Sequence, residues 1–304
     1  MREARTDLVA LVALLESRAN GVRWSDIVGQ LLERGSAHAA WDEVGDQLTL
    51  TDAAERDAAF EAAADQVEAW EAAGIGVVTV LDGDYPQRLR EVHEAPPLLF
   101  YRGKIDPLDQ AVSVVGSRRA SERGLSMATS ISELVTSRGL SVAAGLALGI
   151  DTAAHIACMH AGGRTVAVVG TGILRQYPVQ NRQLHEEIAG SGLLLSQFWP
   201  DAPAQKHTFL MRNATMSGYS LATVVVEAGE TSGARAQARI AVSHGRPVIL
   251  TDLVVDRNEW AKALIGRPGV YVAASIADVA LALTEIVAMS QAPAQVVARL
   301  AAAV

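Results

Sequence analysis

The sequence predicts an α/β fold: a parallel sheet wound with helices, preceded by a small all-α domain. Three observations predict it. Short, Val-rich apolar runs alternate with longer periodic segments through residues 111–285. Several of those runs end in glycine or another small residue. The first 75 residues read instead as amphipathic helices.

The elements follow in chain order. Residues 7–18 have helical periodicity. A second helix starts at Trp24-Ser25-Asp26, turns Ile27, Leu31 and Leu32 inward, and stops at Gly35. Residues 52–73 form another helix, ended by Gly74. These helices define an acidic N-terminal domain over 1–75. An apolar strand spans 76–81, and a short helix 87–91 follows a turn. Ala95-Pro96-Pro97 breaks the chain, and 98–101 reads as an edge-like strand ending at Gly103.

The stretch AVSVVGSRRASERGLSMATSISELVTSRGLSVAAGLALGID, residues 111–151, is one βαβ unit. Its first strand breaks at Gly116-Ser117-Arg118. Its helix carries Met127, Ile131, Leu134 and Val135 and stops at Arg138-Gly139. Its second strand runs into Gly145 and Gly149. Asp151 can cap the next helix, 152–161. A strand over 165–169 reaches Gly170, Tyr177-Pro178 turns, and a helix over 181–188 leads to a strand over 193–196. Residues 197–211 contain two prolines and little periodicity. They read as a loop near the ligand edge, closed by Arg212-Asn213. A strand over 221–226 ends at Glu227-Ala228-Gly229, and Thr231-Ser232-Gly233 opens a helix through His244. Strands over 247–250 and 270–272 and a helix over 276–289 complete the sheet domain, 76–290. An Ala-rich tail, 291–304, is expected to fray.

Composition narrows the function. Half of the 304 residues are hydrophobic, which is ample for a core. No run of eighteen apolar residues occurs, so no membrane span is expected. The charged, amphipathic start lacks a signal-peptide core. The single cysteine, Cys158, excludes an intramolecular disulfide framework and suits a reducing cytoplasm. The net charge of −8 is uneven: residues 1–75 hold 6 Lys/Arg against 15 Asp/Glu, and the remainder 20 against 19. The larger part is therefore free to present a local basic patch to a polyanion.

In a parallel sheet, ligands sit outside the carboxyl ends of the strands. The loops at Gly116, Gly145, Gly170 and Gly229 share that edge. Gly116 lets backbone N–H groups approach an anion, Ser117 adds a hydroxyl, and Arg118 adds a fork that can hold a phosphate bidentately. The turn is neither GxGxxG nor GxxxxGK[ST]. Together Arg118, Asn181, Arg212 and Ser232 make a phosphate-accepting rim. Plainer readings exist for each carboxylate partner. Arg118 can salt-bridge to Asp151 or Glu227, and Glu227 can anchor a loop through backbone bonds. His155 and His160 lie five apart, which suits packing rather than joint metal ligation on a helix. No metal, cofactor or catalytic residue is expected.

The chain resembles the DprA/Smf family of DNA-processing proteins. The segments that carry the resemblance are GVVTVLDGDYPQRLREVHEAPPLLFYRG, SVVGSRRAS, SVAAGLALGIDTAAHIAC, GGRTVAVVGTGILRQYPVQNRQLHEEI, LLLSQFWPDAPAQKHTFLMRNATMSGYS and VVVEAGETSGARAQARIAVSHGRPV. The resemblance implies an extended Rossmann-like fold that binds single-stranded DNA, dimerises and delivers a RecA-type recombinase. It places Gly116, Ser117, Arg118, Gly145, Gly149, Asn181, Arg212 and Asn213 in the pocket. Gly170, Glu227, Ser232 and Gly233 stand at the same strand ends, and Lys206 with His207 in the neighbouring loop is expected to touch the strand.

This sequence departs from the family pattern in three places. Ala214 replaces a second arginine after Arg212-Asn213, which would remove a phosphate partner. Phe209-Leu210 replaces phenylalanine-proline. Thr251-Asp252-Leu253 replaces a proline-glycine turn. Two other functions fit the fold class: a nucleotide sensor, and a nucleoside-monophosphate phosphoribohydrolase. The hydrolase needs a glutamate where Thr231-Ser232-Gly233-Ala234 stands.

Overall fold

A computed structural model describes residues 2–18, 22–43 and 53–301. Four helices come first: α1 (Arg2–Ser17), α2 (Trp24–Arg34), α3 (Ala37–Glu43) and α4 (Ala53–Ala72). Gly35 ends α2 in the left-handed region, φ 70°, which a glycine enters without a Cβ penalty. In α1 residues 10–15 are all buried, Leu11, Leu14 and Leu15 among them, so this helix is enclosed on every side there.

A nine-stranded sheet follows, in the order β1 (Gly76–Thr79), β2 (Leu98–Gly103), β6 (Leu193–Ser196), β5 (Thr165–Val168), β4 (Ser141–Ala144), β3 (Ala111–Gly116), β7 (Ala222–Glu227), β8 (Val248–Thr251), β9 (Val270–Ala273). The seven strands from β6 to β9 are parallel, as expected of an extended Rossmann-like α/β protein. β1 and β2 join antiparallel. The edge-like reading of 98–101 is therefore corrected: β2 is internal, paired on both sides, and Phe100 at its centre is fully buried. Its flanking prolines lie outside the paired residues, so they cost no ladder bond.

Helices cover both faces. On one lie α6 (Glu122–Ser137), α7 (Ile150–His160) and α13 (Ile276–Ala301), packed on Val112, Val114, Val142 and Val224. On the other lie α5 (Gln87–Arg90), α8 (Arg182–Ser191), α9 (Lys206–Tyr219), α10 (Gly233–Ser243) and the N-terminal helices. Short α11 (Asp252–Val255) and α12 (Glu259–Lys262) link β8 to β9. The backbone of α13 stays helical to Ala301, where the sequence reading frays it from Ser290; Ala, Gln and Arg there are strong helix formers. The end of that tail, 302–304, lies outside the described residues.

The loop reading of 197–211 is also corrected. Helix α9 begins at Lys206, so Arg212 and Asn213 sit mid-helix. Residues 212–219 are buried all round, and a helix buried all round shows no amphipathic stripe to read. His244 locks α10 to α9, its Nδ1 3.0 Å from Ser217 Oγ and its Nε2 3.0 Å from Glu94 Oε2.

The helical segment shares its apolar core with the sheet. Leu14, Val67, Phe100 and Leu195 belong to one continuous cluster. Trp70 of α4 stacks on Trp199 at 5.8 Å and meets the Phe100 ring edge-on at 4.9 Å. Truncation there removes a large buried ring at this junction. Trp70→Ala is expected to cost about 3–5 kcal/mol and to leave a single cooperative transition in a urea melt. A separate early transition of the helices would refute the shared core.

Candidate functional site

Strand β3 has β4 on one side and β7 on the other. The chain moves outward from β3 through β4, β5 and β6, then crosses back to β7. That reversal is the topological switch point, where an open α/β sheet leaves a crevice at its carboxyl edge. Two adjoining cavities of about 360 and 540 Å³ open there. They share Arg118, Ala147, Phe209 and Arg212, so they form one groove. Of the residues expected on the rim, Gly116, Ser117, Asn213, Ser232 and Gly233 line the first cavity. Gly145 and Gly170 line the second.

Arg212 is the buried centre of the groove, 7 % exposed. Its Nη1 donates to the Val168 carbonyl at 2.9 Å, while its Nε has no acceptor in the protein. Burial lowers its pKa, and the Asp151 charge opposes that shift. Gly145 is required here, because any Cβ would overlap the Arg212 guanidinium. Gly170 makes equivalent room for the Phe209 ring.

Asp151 does not cap its helix; Gly149 holds that position. Its carboxylate instead accepts N–H groups from Gly145 (3.0 Å) and Ala147 (3.3 Å). Burial raises its pKa, opposed first by the charge of Arg212. The loop between is tightly wound, with Leu146 at φ 58° and Gly149 at φ 78°. Asn181 ties it down from below. Its Nδ2 donates to Leu146 O (2.9 Å), Ala147 O (3.3 Å) and Thr152 Oγ1 (2.9 Å). Asn181 is thus a loop anchor beneath the rim, with its amide donors engaged, rather than a rim ligand.

Glu227 takes the plainer of its two readings. Its carboxylate accepts the Ser121 N–H and hydroxyl, both at 2.9 Å, and lies 3.7 Å from Arg257. It lines neither cavity. The expected role of Gly116 changes too. The Ser117 N–H donates to Glu227 O at 2.7 Å, and a Cβ at 116 would strike Ile150 and that same carbonyl. Gly116 therefore serves packing where it lines the first cavity, and the neighbouring Ser117 N–H is already engaged. Lys206 is exposed in the first turn of α9, and His207 beside it is exposed as well; neither lines the groove.

Arg118 is exposed and pairs with neither Asp151 nor Glu227; among the described residues it has no ion-pair partner. Its guanidinium lies 5.6 Å above the Phe209 ring, which in turn lies 5.7 Å from the Tyr177 ring. Sequence reasoning missed this aromatic pair. Phe209 precedes Arg212 by three, a same-face spacing visible only once the segment is read as helix. Ser232 caps α10, accepting the Arg235 N–H, and Asn213 Nδ2 reaches Gly233 O at 3.4 Å. Ala214 faces away from the groove, lining a cavity with Arg23 and Trp24 of the helical segment. The substitution at that position therefore removes no groove contact.

The fold and groove define a doubly wound α/β protein with a cationic, partly aromatic cleft at its switch point. The model of the DNA recombination-mediator protein A family matches residues 76–283, and the chain belongs to that family, the DprA/Smf DNA-processing proteins. Protein Smf of Synechocystis sp. is 39 % identical over 172 residues, which cover 55 % of this chain and 43 % of that protein. DNA processing protein DprA of Streptococcus pneumoniae is 39 % identical over 173 residues, 56 % of this chain and 60 % of that one. The chain thus spans about half the length of the curated relatives it matches. The X-ray structure of the S. pneumoniae protein superposes with a TM-score of 0.69 at 28 % identity, covering 89 % of this chain and 94 % of that one. DNA processing protein A from Helicobacter pylori, whose structure concerns its single-stranded DNA binding mode, shares the fold with a TM-score of 0.61 at 20 % identity, over 69 % and 96 % of the two chains.

Beneath Arg212, His155 is fully buried, its Nδ1 2.7 Å from Thr165 Oγ1. Burial first, and then the Arg212 charge, push its pKa from 6.5 to about 3. Between these values the unfolded chain binds the extra proton, so stability is complete above pH 6.5 and falls as pH drops toward 3. His155→Asn is expected to flatten that acid limb by roughly 1 kcal/mol per pH unit, read from urea midpoints between pH 6.5 and 4. An unchanged limb would mean that His155 does not titrate between the two states.

Proposed function

We propose that the groove binds single-stranded DNA, and that this protein protects the strand and helps deliver a RecA-type recombinase onto it during transformation or recombination. The observation that carries the reading is Arg118, an exposed cation without an ion-pair partner among the described residues, which rests on the Phe209 ring of the Phe209–Tyr177 pair in the groove that Arg212 also lines. Non-specific single-strand sites combine these two features: cations that follow the backbone and rings on which bases stack. Membership of the recombination-mediator family supports the same reading. The role is binding rather than catalysis, because Glu227, the strand-end carboxylate nearest in position to a hydrolase base, is committed to Ser121. A nucleotide sensor is the second reading. Cavities of about 360 and 540 Å³ are the right size for one small ligand.

The protein acts as a homodimer in the cytoplasm on this reading. No helix among the described residues is long and apolar enough to cross a membrane. Strand β9 leaves one edge of the sheet unpaired. Val272 on it and Leu281 and Met289 on α13 are 46, 72 and 49 % exposed. An open edge flanked by apolar residues favours pairing with a second copy. Leu281→Glu is expected to shift the protein to monomer in sedimentation velocity; an unaltered dimer would place the interface elsewhere.

Fluorescence anisotropy with labelled oligo-dT at two salt concentrations tests the central reading. Tight binding that duplex DNA competes poorly is expected. Arg118→Ala should weaken it roughly tenfold and make the log–log salt slope shallower by about 0.7, the value for one single-strand phosphate contact. Displacement by a mononucleotide, with no binding to the oligomer, would favour the sensor.

A further inference from the structure

Helix α10 presents two working faces. Ala234 and Gln237 line the groove. Arg235, Arg239, Val242 and Ser243, at positions i, i+4, i+7 and i+8, line a separate cavity of about 440 Å³ on the outer face. Its opposite wall holds Trp260 on α12 and Arg267 just beyond it. Three arginines therefore converge on one concavity, and no acidic side chain lines it.

The neighbouring carboxylates are occupied. Glu230 Oε1 accepts the Glu259 N–H, and its Oε2 lies 3.9 Å from Arg235 Nη1. Glu259 is paired with Lys262 at 2.7 Å. Arg239 and Arg267 are exposed and have no ion-pair partner among the described residues. Trp260 is 7 % exposed, and its indole N–H is buried without an acceptor. An anion in this cavity would relieve the like-charge crowding and engage the free guanidinium donors of Arg239 and Arg267.

We propose that this arginine cavity is a second phosphate site, which holds the phosphodiester backbone of a strand as it leaves the groove. The inference rests on the single-strand reading of the groove. The two sites are joined by one helix about 10 Å across, a distance a strand covers well within common single-strand site sizes of about 4–16 nucleotides. Ser232, which caps α10, lines the groove, and Arg235 in the first turn of the same helix lines the cavity.

The test compares oligo-dT of about 6 and about 30 nucleotides, lengths that fill the groove alone or extend past it. The double variant Arg239→Gln/Arg267→Gln is expected to bind the long oligomer roughly tenfold more weakly, with a salt slope shallower by about 1.4 for two lost contacts. It should bind the short oligomer as the unaltered protein does. Lys262→Gln, which removes a nearby cation outside the cavity, should change neither. An unchanged slope on the long oligomer, or equal losses on both, overturns this site and leaves the groove standing. Failure of the unaltered protein to bind either oligomer overturns the groove reading and this one with it. Thermal melting confirms that the double variant is folded.

Discussion

The burial of Arg212 is the constraint on which the carboxyl edge of the sheet depends. A guanidinium cannot lose its proton, so a helix that inserts one among strand ends forces its surroundings to provide for the charge. The Val168 carbonyl accepts from it, and the Asp151 charge acts on it. The remaining consequences are steric and electrostatic. Position 145 must lack a Cβ. His155 below, kept neutral first by its own burial, is held so further by the Arg212 charge. Asp151, drawn toward the cation, spends its lone pairs on the N–H groups of the loop 145–147, which fixes the lip of the groove. One residue thus couples the order of β4, β5, α7 and α9.

The same wiring separates anchors from surface. Asn181 at the start of α8 and Glu227 at the end of β7 are polar residues whose side chains are engaged within the fold. Arg118 shares the same edge but has no ion-pair or hydrogen-bond partner for its side chain among the described residues and lies on an aromatic face. A polar side chain whose capacity is met internally shapes a site. One left unmet, in a concave position, is available to a ligand.

This distinction explains what was legible in the sequence. The strands of the parallel series are readable as short apolar runs, and the glycines that follow β4 and β5 or close β3 are demanded by Arg212, Phe209 and Ile150 in turn. The convergence of Gly116, Gly145, Gly170 and Ser232 followed from parallel topology alone. Helix α9 was not readable. Its polar residues Thr208, Asn213, Thr215 and Ser217 are buried by hydrogen bonding rather than by hydrophobicity, so the pattern resembles a loop. Three differences at the site follow from that one: the aromatic pair is invisible in a loop, Lys206 stands on the exposed first turn and not in the groove, and half a turn of helix carries Ala214 to the other side. The anchor role of Asn181 was hidden for a different reason: its partners are backbone carbonyls of a distant loop, and sequence spacing carries no information about them.

Charge is distributed so that these parts do not interfere. The acidic excess belongs to residues 1–75, and the groove and the arginine face of α10 lie on the near-neutral remainder. A net charge of −8 keeps the molecule from adsorbing indiscriminately to polyanions, while local cations still act within a Debye length, about 8 Å at physiological salt. The cations differ in kind. Arg212 is fixed and shielded from solvent, so its field at the groove floor is little screened by salt. Arg118, Arg119, Arg239 and Arg267 are exposed, and under the proposed function these are cations that would exchange counterions for phosphates. Shape therefore comes from the buried cation, and a salt-sensitive grip on a strand would come from the exposed ones. A rigid duplex would have to enter a groove whose floor is a strand-end crevice and whose wall is an aromatic pair. A flexible strand meets fewer steric limits there than a rigid duplex and would bring its bases within reach of Phe209 and Tyr177, which is why the ligand proposed for the groove is a single strand.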